Sequence, residues 1–386
     1  MNKRIRVLSI FGTRPEAIKM APVIRELENH AQCIEQRVVV TAQHREMLDQ
    51  VLRLFSLKPD YDLSVMRQNQ DLFDVTVAVL KGLKEVLESE RPDLVLVQGD
   101  TTSTFAGALA AFYCRIPVGH VEAGLRTYEK YAPFPEEINR VLTSHLADLH
   151  FAPTAKARDA LLREGIGDEG IFVTGNTVID ALLMAVSIPC QLDPELERPF
   201  RENGRVLLLT THRRENLGEP LRRVYMALRR ILERYRDVGV LFPVHKNPAV
   251  RREVERVLVG ADRVYLTEPL DYLPFVNAMK RSYLVLTDSG GIQEEAPALG
   301  KPVLVLRDVT ERPEAVAAGT ARLVGTDPER LEAEVSRLLD DEDAYRGMAE
   351  AVNPYGDGMA ARRIAQAILW YFGKGPAPEA FSPARN

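Results

Sequence analysis

Cysteine is scarce in this 386-residue chain. The three present, Cys33, Cys114 and Cys190, lie far apart and are odd in number. They build neither a disulfide framework nor a zinc-ligand spacing, so a reducing compartment is expected. An excess of positive charge is also missing. The formal net charge is -5, which argues against bulk nucleic-acid binding through a basic face. No uninterrupted apolar run approaches the length of a membrane span, so no membrane association is expected. The opening residues Met1-Asn2-Lys3-Arg4-Ile5-Arg6-Val7 are basic but run straight into a strand-like segment. The apolar stretch and cleavage site of a signal peptide are not there, and a cytoplasmic location is expected. Internal repeats and low-complexity blocks are absent too. What remains is 46% hydrophobic and 27% charged, the mix of an ordinary globular protein. Its length exceeds what one core comfortably serves and suggests two domains.

Short apolar runs alternate with longer amphipathic stretches. Arg6 to Phe11 reads as a buried strand and Pro15 to Glu28 as a helix with proline in its first turn. Strands are expected at 36–41, 93–98, 117–120 and 149–151. The rhythm restarts with strands at 205–210, 238–243, 264–267, 283–287 and 302–306. This βαβα order implies parallel sheets covered on both faces. The fold class expected is α/β, two doubly wound parallel-sheet domains facing a central cleft. Ile188 to Gly204, with three prolines and little periodicity, reads as a linker. The expected division is 1–170 plus a returning C-terminal helix and tail 359–386, against 171–358. The tail from Gly373 is expected to be loose.

In open α/β sheets, ligands bind beyond the carboxyl ends of the strands. The unusual residues stand in those segments. After the first strand comes Gly12-Thr13-Arg14-Pro15-Glu16, then Lys19. A fork-shaped guanidinium beside a helix start suits a phosphate, and a plain turn with solvated charges suits the pattern equally. Gly99-Asp100-Thr101-Thr102-Ser103-Thr104 follows another strand. Helix capping explains one of its hydroxyl residues but not their density. Glu122 lies in Gly119-His120-Val121-Glu122-Ala123-Gly124, and Glu136 opens a helix after Pro133-Phe134-Pro135. Asp100, Glu122 and Glu136 therefore share one sheet edge, where crowded carboxylates raise one another's pKa and suit acid/base work. Pairing of each with an arginine is the alternative, and it is preferred for Glu137, three residues before Arg140.

The second series carries Thr211-His212-Arg213-Arg214-Glu215-Asn216 at a strand end. His212 beside two arginines is placed for an anionic group and has no third ligand at metal-like spacing. His245 stands at another strand end. Thr287-Asp288-Ser289-Gly290-Gly291 leads from a strand into a helix, a geometry that binds phosphate. Glu295, one turn on, is within reach of ribose hydroxyls, and Arg312 follows the next strand. Gly165-Ile166-Gly167-Asp168-Glu169-Gly170 matches G-x-G-x-x-G literally but runs from helix to strand, the reverse of a dinucleotide site. No nicotinamide site and no Walker-type loop are expected.

Five segments together, 11–19, 99–102, 119–126, 212–216 and 288–295, resemble the bacterial non-hydrolysing UDP-N-acetylglucosamine 2-epimerases. The likeness runs in order from about Ile5 to Gly358. It implies a GT-B-like fold of two Rossmann-like domains, a homodimer, no cofactor or metal, and interconversion of UDP-GlcNAc with UDP-ManNAc. By motif, it implies that Asp100, Glu122 and Glu136 are acid/base carboxylates and that His212 serves the leaving group. It implies UDP contacts by Arg14, Lys19, Phe275, Ser289, Gly290, Gly291, Glu295 and Arg312. Gln43 and Gln70 match part of a pocket that binds a second, activating UDP-GlcNAc in some members, whereas Glu46 and Asn69 depart from it.

Chemistry narrows the route. The carbon 2 proton of the sugar is not next to a carbonyl, so simple removal and return is very costly. Oxidation at carbon 3 needs a nicotinamide. Loss of UDP to 2-acetamidoglucal, then re-addition with protonation from the other face, needs neither. A hydrolysing relative that releases ManNAc, a GT-B glycosyltransferase and a non-catalytic UDP-sugar sensor are the alternative readings.

Overall fold

The computed structural model describes residues 3–42, 45–67 and 70–383. The described residues form two compact units, one running to Met184 and taking up Gly356–Ser382, the other spanning Ala185–Tyr355.

The first unit holds seven strands: β1 (Ile5–Phe11), β2 (Ile34–Val40), β3 (Tyr61–Asp62), β4 (Leu94–Gln98), β5 (Val118–Val121), β6 (Leu149–Ala152) and β7 (Ile171–Val173). All pairings are parallel, in the order β3-β2-β1-β4-β5-β6-β7. Leu8, Ile10, Val95 and Val97 are fully buried, because strands covered by helices on both faces read as continuous apolar runs. The strand order reverses between β1 and β4. Open α/β sheets bind their ligands beyond the carboxyl ends at such a point, and the segments that emerge there are Gly12–Arg14 and Gly99–Thr101.

The second unit repeats the plan with β8 (Arg205–Thr210), β9 (Val238–Pro243), β10 (Val264–Thr267), β11 (Leu284–Thr287), β12 (Val303–Val305) and β13 (Ala321–Leu323). Their order is β10-β9-β8-β11-β12-β13, again parallel. Its switch point lies between β8 and β11, where Thr211–Arg213 and Asp288–Gly291 emerge. In both units the order of the first six strands is three-two-one-four-five-six, which makes each unit Rossmann-like and doubly wound.

Three expectations change. The boundary expected at 170/171 falls inside the first unit, because β7 pairs with β6 and Phe172 of β7 packs on Phe151 and Trp370. The segment read as linker contains a helix, Pro194–Glu202, whose Pro194 sits in the first turn, where its missing N–H costs nothing. The described part of the tail, to residue 383, is docked rather than loose. Phe381 is buried, donates its N–H to the Val173 carbonyl at 2.7 Å and lies under the Arg363 guanidinium. The last helix, Ala360–Tyr371, packs against Arg14–Asn29 of the first unit, as the sequence suggests. Among the described residues no helix is long and apolar enough to cross a membrane.

Candidate active site

The carboxyl edge of the first sheet gathers Arg14, Lys19, Asp100, Glu122 and Glu136. Glu122 follows β5 with φ of 66°, a left-handed conformation unusual for a residue with a side chain. Lys19, Gln98 and Asn176 are among the donors that hold its carboxylate. Lys19 Nζ lies 2.6 Å from each oxygen, Gln98 Nε2 lies 2.6 Å from Oε2, and Asn176 Nδ2 lies 3.0 Å from Oε1. Lys19, expected at UDP, thus has a carboxylate as its partner in this structure.

Asp100 follows β4, and its carboxylate receives Arg140 Nε at 2.9 Å. The same guanidinium reaches Glu137 at 2.9 Å, so the structural pairing expected for Glu137 extends to Asp100 as well. Glu137 is otherwise committed to the backbone N–H groups of Thr127 and Tyr128. Of the two readings weighed for these carboxylates, pairing with an arginine is what Asp100 shows, while Glu122 pairs with Lys19, so each sits against its own cation. Glu136 opens the helix Glu136–Leu146, and its buried Oε2 has no hydrogen-bond partner among the described residues. Arg14, at the start of the helix Arg14–Asn29, is half-buried.

The hydroxyl cluster has a structural explanation. Glu16 is fully buried and accepts from the Gly12 and Thr13 N–H groups at 3.0 and 2.6 Å. Its other oxygen accepts from Thr101 and Thr104 hydroxyls at 2.6 and 2.9 Å. Ser103 bonds Thr41 at 2.9 Å. The cluster ties the loop carrying Arg14 to the loop carrying Asp100. Burial pushes the Glu16 carboxyl up, against these four hydrogen bonds. Gly12 is required at this seam, because a Cβ there would stand 2.0 Å from Thr41 Oγ1 and 2.7 Å from Ser103 Oγ. Behind it, His120 bonds the Gly99 carbonyl at 2.7 Å, and burial carries its pKa down to about 4.

In the second unit, β8 and β11 lie side by side and bring His212 to Asp288. Asp288 is fully buried. It accepts from the N–H groups of His212 and Arg213 at 3.0 Å each and from Asn216 Nδ2 at 3.3 Å. His212 Nδ1 lies 3.2 Å from Asp288 Oδ1. Burial pushes the Asp288 carboxyl up, but the hydrogen bonds from His212 and Arg213 outweigh it and hold it below the ordinary carboxylate value. The His212 ring stacks on His245 with centroids 5.6 Å apart. Burial, then the neighbouring His212, lowers the pKa of His245.

Ser289, Gly290 and Gly291 lead into the helix Ile292–Ala298, with Arg213 3.7 Å from the point where a Gly290 side chain would begin. Glu295 receives the Tyr272 hydroxyl at 3.0 Å. Phe275 is half-buried on the helix Tyr272–Arg281, after β10. Arg312, expected at the diphosphate, is ion-paired to the buried Glu294. Gln70 bonds its own loop, through Arg67 N–H and the Val65 carbonyl, each at 2.6 Å. Gln43 lies outside the described residues.

The reading from sequence missed Gln98 and Asn176 around Glu122, Arg140 on Asp100, and Asp288 on His212. All but Arg140 stand in or just after strands that end at these edges, which is the signal that would have found them. Among the described residues no group of three or more His, Cys, Asp or Glu side chains could hold a metal ion.

Two Rossmann-like units, each with polar residues at its switch point, define the GT-B-like class. A glycosyltransferase of kitacinnamycin, 14% identical, aligns with 97% of the chain at a TM-score of 0.63, a likeness of fold alone. The family model of UDP-N-acetylglucosamine 2-epimerase matches residues 25–369, and the chain belongs to that family. The UDP-N-acetylglucosamine 2-epimerase of Salmonella typhimurium is 56% identical over 373 residues, covering 95% of this chain and 99% of its own. The UDP-GlcNAc 2-epimerase from Neisseria meningitidis bound to UDP-GlcNAc is 50% identical, with a TM-score of 0.85 over 95% of this chain and all of that one. The S. aureus protein MnaA in a co-structure with UDP is also 50% identical, with a TM-score of 0.86 over 98% of this chain and all of that one.

Proposed function

We propose that the protein interconverts UDP-GlcNAc and UDP-ManNAc without releasing free sugar, as a cytoplasmic source of ManNAc-type precursors for surface polysaccharide. The observation that carries this reading is the carboxylate of Glu122, fixed at the end of β5 by Lys19, Gln98 and Asn176. A site that only binds a nucleotide sugar has no need of such a group. Family membership and the UDP-GlcNAc bound by the Neisseria relative support the substrate.

The carbon 1–oxygen bond breaks with its electron pair going to the diphosphate. The carbon 2 proton goes to a carboxylate, and its bonding pair becomes the double bond of 2-acetamidoglucal. Arg14, His212 and Arg312 stabilise the departing diphosphate, with Gly290 and Gly291 offering backbone N–H groups and Ser289 its hydroxyl, the Ser289 N–H being donated to Thr287. Phe275 and Glu295 are proposed at the base and ribose. Asp100, Glu122 and Glu136 supply the proton transfers on the two faces of carbon 2. Lys19, while it holds Glu122, is proposed to lie beside the phosphates as well.

A homodimer is proposed as the working form. It is supported by Phe73, Phe112 and Tyr113, large apolar side chains exposed on two helices that pack side by side. Sedimentation equilibrium is expected to give twice the chain mass. Proton NMR of UDP-GlcNAc turnover tests the activity. Growth of UDP-ManNAc signals to a constant ratio is the expected result, and stoichiometric free ManNAc would establish a hydrolysing enzyme instead.

A further inference from the structure

We infer that Asp288 is the positioning residue for His212, keeping the proton on Nδ1 so that Nε2 alone meets the leaving diphosphate. The inference rests on the proposed reaction for the purpose of His212, but the tautomer follows from the hydrogen-bond count. Asp288 has two oxygens and four donors around it. Oδ2 takes the N–H groups of His212 and Arg213 at 3.0 Å each and Asn216 Nδ2 at 3.3 Å. Oδ1 faces His212 Nδ1 at 3.2 Å and the same His212 N–H at 3.1 Å. Backbone N–H groups cannot become acceptors, so both oxygens act as acceptors and Nδ1 is the atom that carries hydrogen. The carboxylate is fully buried, which makes a mismatched donor here expensive.

The arrangement also accepts the charged ring. In the imidazolium, which takes its second proton from solvent before the anomeric bond breaks, Nε2–H donates a hydrogen bond to the diphosphate oxygen that receives the bonding pair, while Nδ1–H stays on Asp288. No proton passes to Asp288. Asp288→Asn removes one acceptor and adds a donor. The amide oxygen must stay at the Oδ2 position, where three donors converge, so the amide nitrogen faces His212 Nδ1. The ring then has to accept at Nδ1 and carry its proton on Nε2, and the imidazolium has no acceptor for its second N–H.

The test is a long-range proton–nitrogen spectrum of the full chain labelled with 15N-histidine, at about pH 8.5, where an ordinary imidazole is neutral. His212→Gln assigns the signals. The wild type is expected to show the Nδ1–H tautomer at His212 and Asp288→Asn the Nε2–H tautomer. With UDP affinity within about threefold of wild type, the kcat of Asp288→Asn is expected to fall roughly 100- to 10,000-fold. An Nε2–H tautomer in the wild type would overturn the inference, as would an unchanged tautomer and rate in the variant. If Asp288→Asn does not fold, the wild-type spectrum alone decides. A wild-type chain with the expected tautomer but no turnover of UDP-GlcNAc would sink the epimerase reading and leave the positioning role standing.

Discussion

Glu122 occupies a left-handed backbone position that costs a side-chain-bearing residue on the order of 1–2 kcal/mol. Strain of this kind persists only where surrounding contacts over-determine it, and here an ammonium and two amides do so. Glu122→Gln keeps the shape but offers a donor where Lys19 expects a charge. It is expected to lower kcat roughly 100- to 10,000-fold while UDP still binds, read by steady-state kinetics and calorimetry. Asp100→Asn is expected to behave likewise, since Arg140 then faces a neutral amide. A wild-type rate in either variant would remove that residue from the chemistry. Gly124 has a different burden. Its φ is +88°, and a Cβ would stand 2.2 Å from the Ala157 carbonyl oxygen. Gly124→Ala is expected to cost about 1–3 kcal/mol in a denaturant melt.

Among the elements, the last helix shows how a distant segment is secured. Asp180, from the helix Thr177–Ser187, accepts from the Ala360 and Ala361 N–H groups at 3.3 and 2.8 Å, so one helix caps another. Asp180→Ala is expected to destabilise the protein by about 1–2 kcal/mol and to speed hydrogen exchange first in the residues 360–371. The sequence foretells the return of this helix from its apolar periodicity, but not its cap, which lies 180 positions away. Long apolar strands such as β1, β4 and β8 are legible because burial on both faces leaves a continuous run. Tyr61–Asp62 and Ala321–Leu323 are not, because two or three residues at a sheet edge carry no period. The site divides in the same way. Strand-end carboxylates and His212 stand out by position, whereas Asp288 takes its meaning from β8 lying beside β11, a fact of sheet order. The hydroxyl density after β4 misleads for a related reason, since its partner Glu16 belongs to another loop.

For the molecule as a whole, acid should unfold the protein through its buried imidazoles. Burial carries His120 down to about 4 and His150 down to about 3. The unfolded chain takes up those protons near pH 6.5, so stability is lost as pH falls from about 6.5 toward 4. Asp180 and Glu16, both raised by burial, have the opposite sign. Burial raises Asp180 to about 6 and lifts Glu16 above the ordinary carboxylate value, so their protonation favours the folded state as pH falls. The two histidines are displaced further than Asp180, and the unfolding midpoint is expected to be lower at about pH 5 than at about pH 7 in differential scanning calorimetry. An equal or higher midpoint at the lower pH would show that these imidazoles remain neutral at little cost.

The sharpest test of the chemistry is turnover of UDP-GlcNAc in deuterated water, followed by proton NMR until the ratio of epimers is constant. A proton lost to a carboxylate and regained from solvent-exchanged groups places deuterium at carbon 2 of both UDP-GlcNAc and UDP-ManNAc, with UDP and free sugar absent from the final mixture. Epimers that retain the original hydrogen at carbon 2 would contradict elimination and re-addition outright.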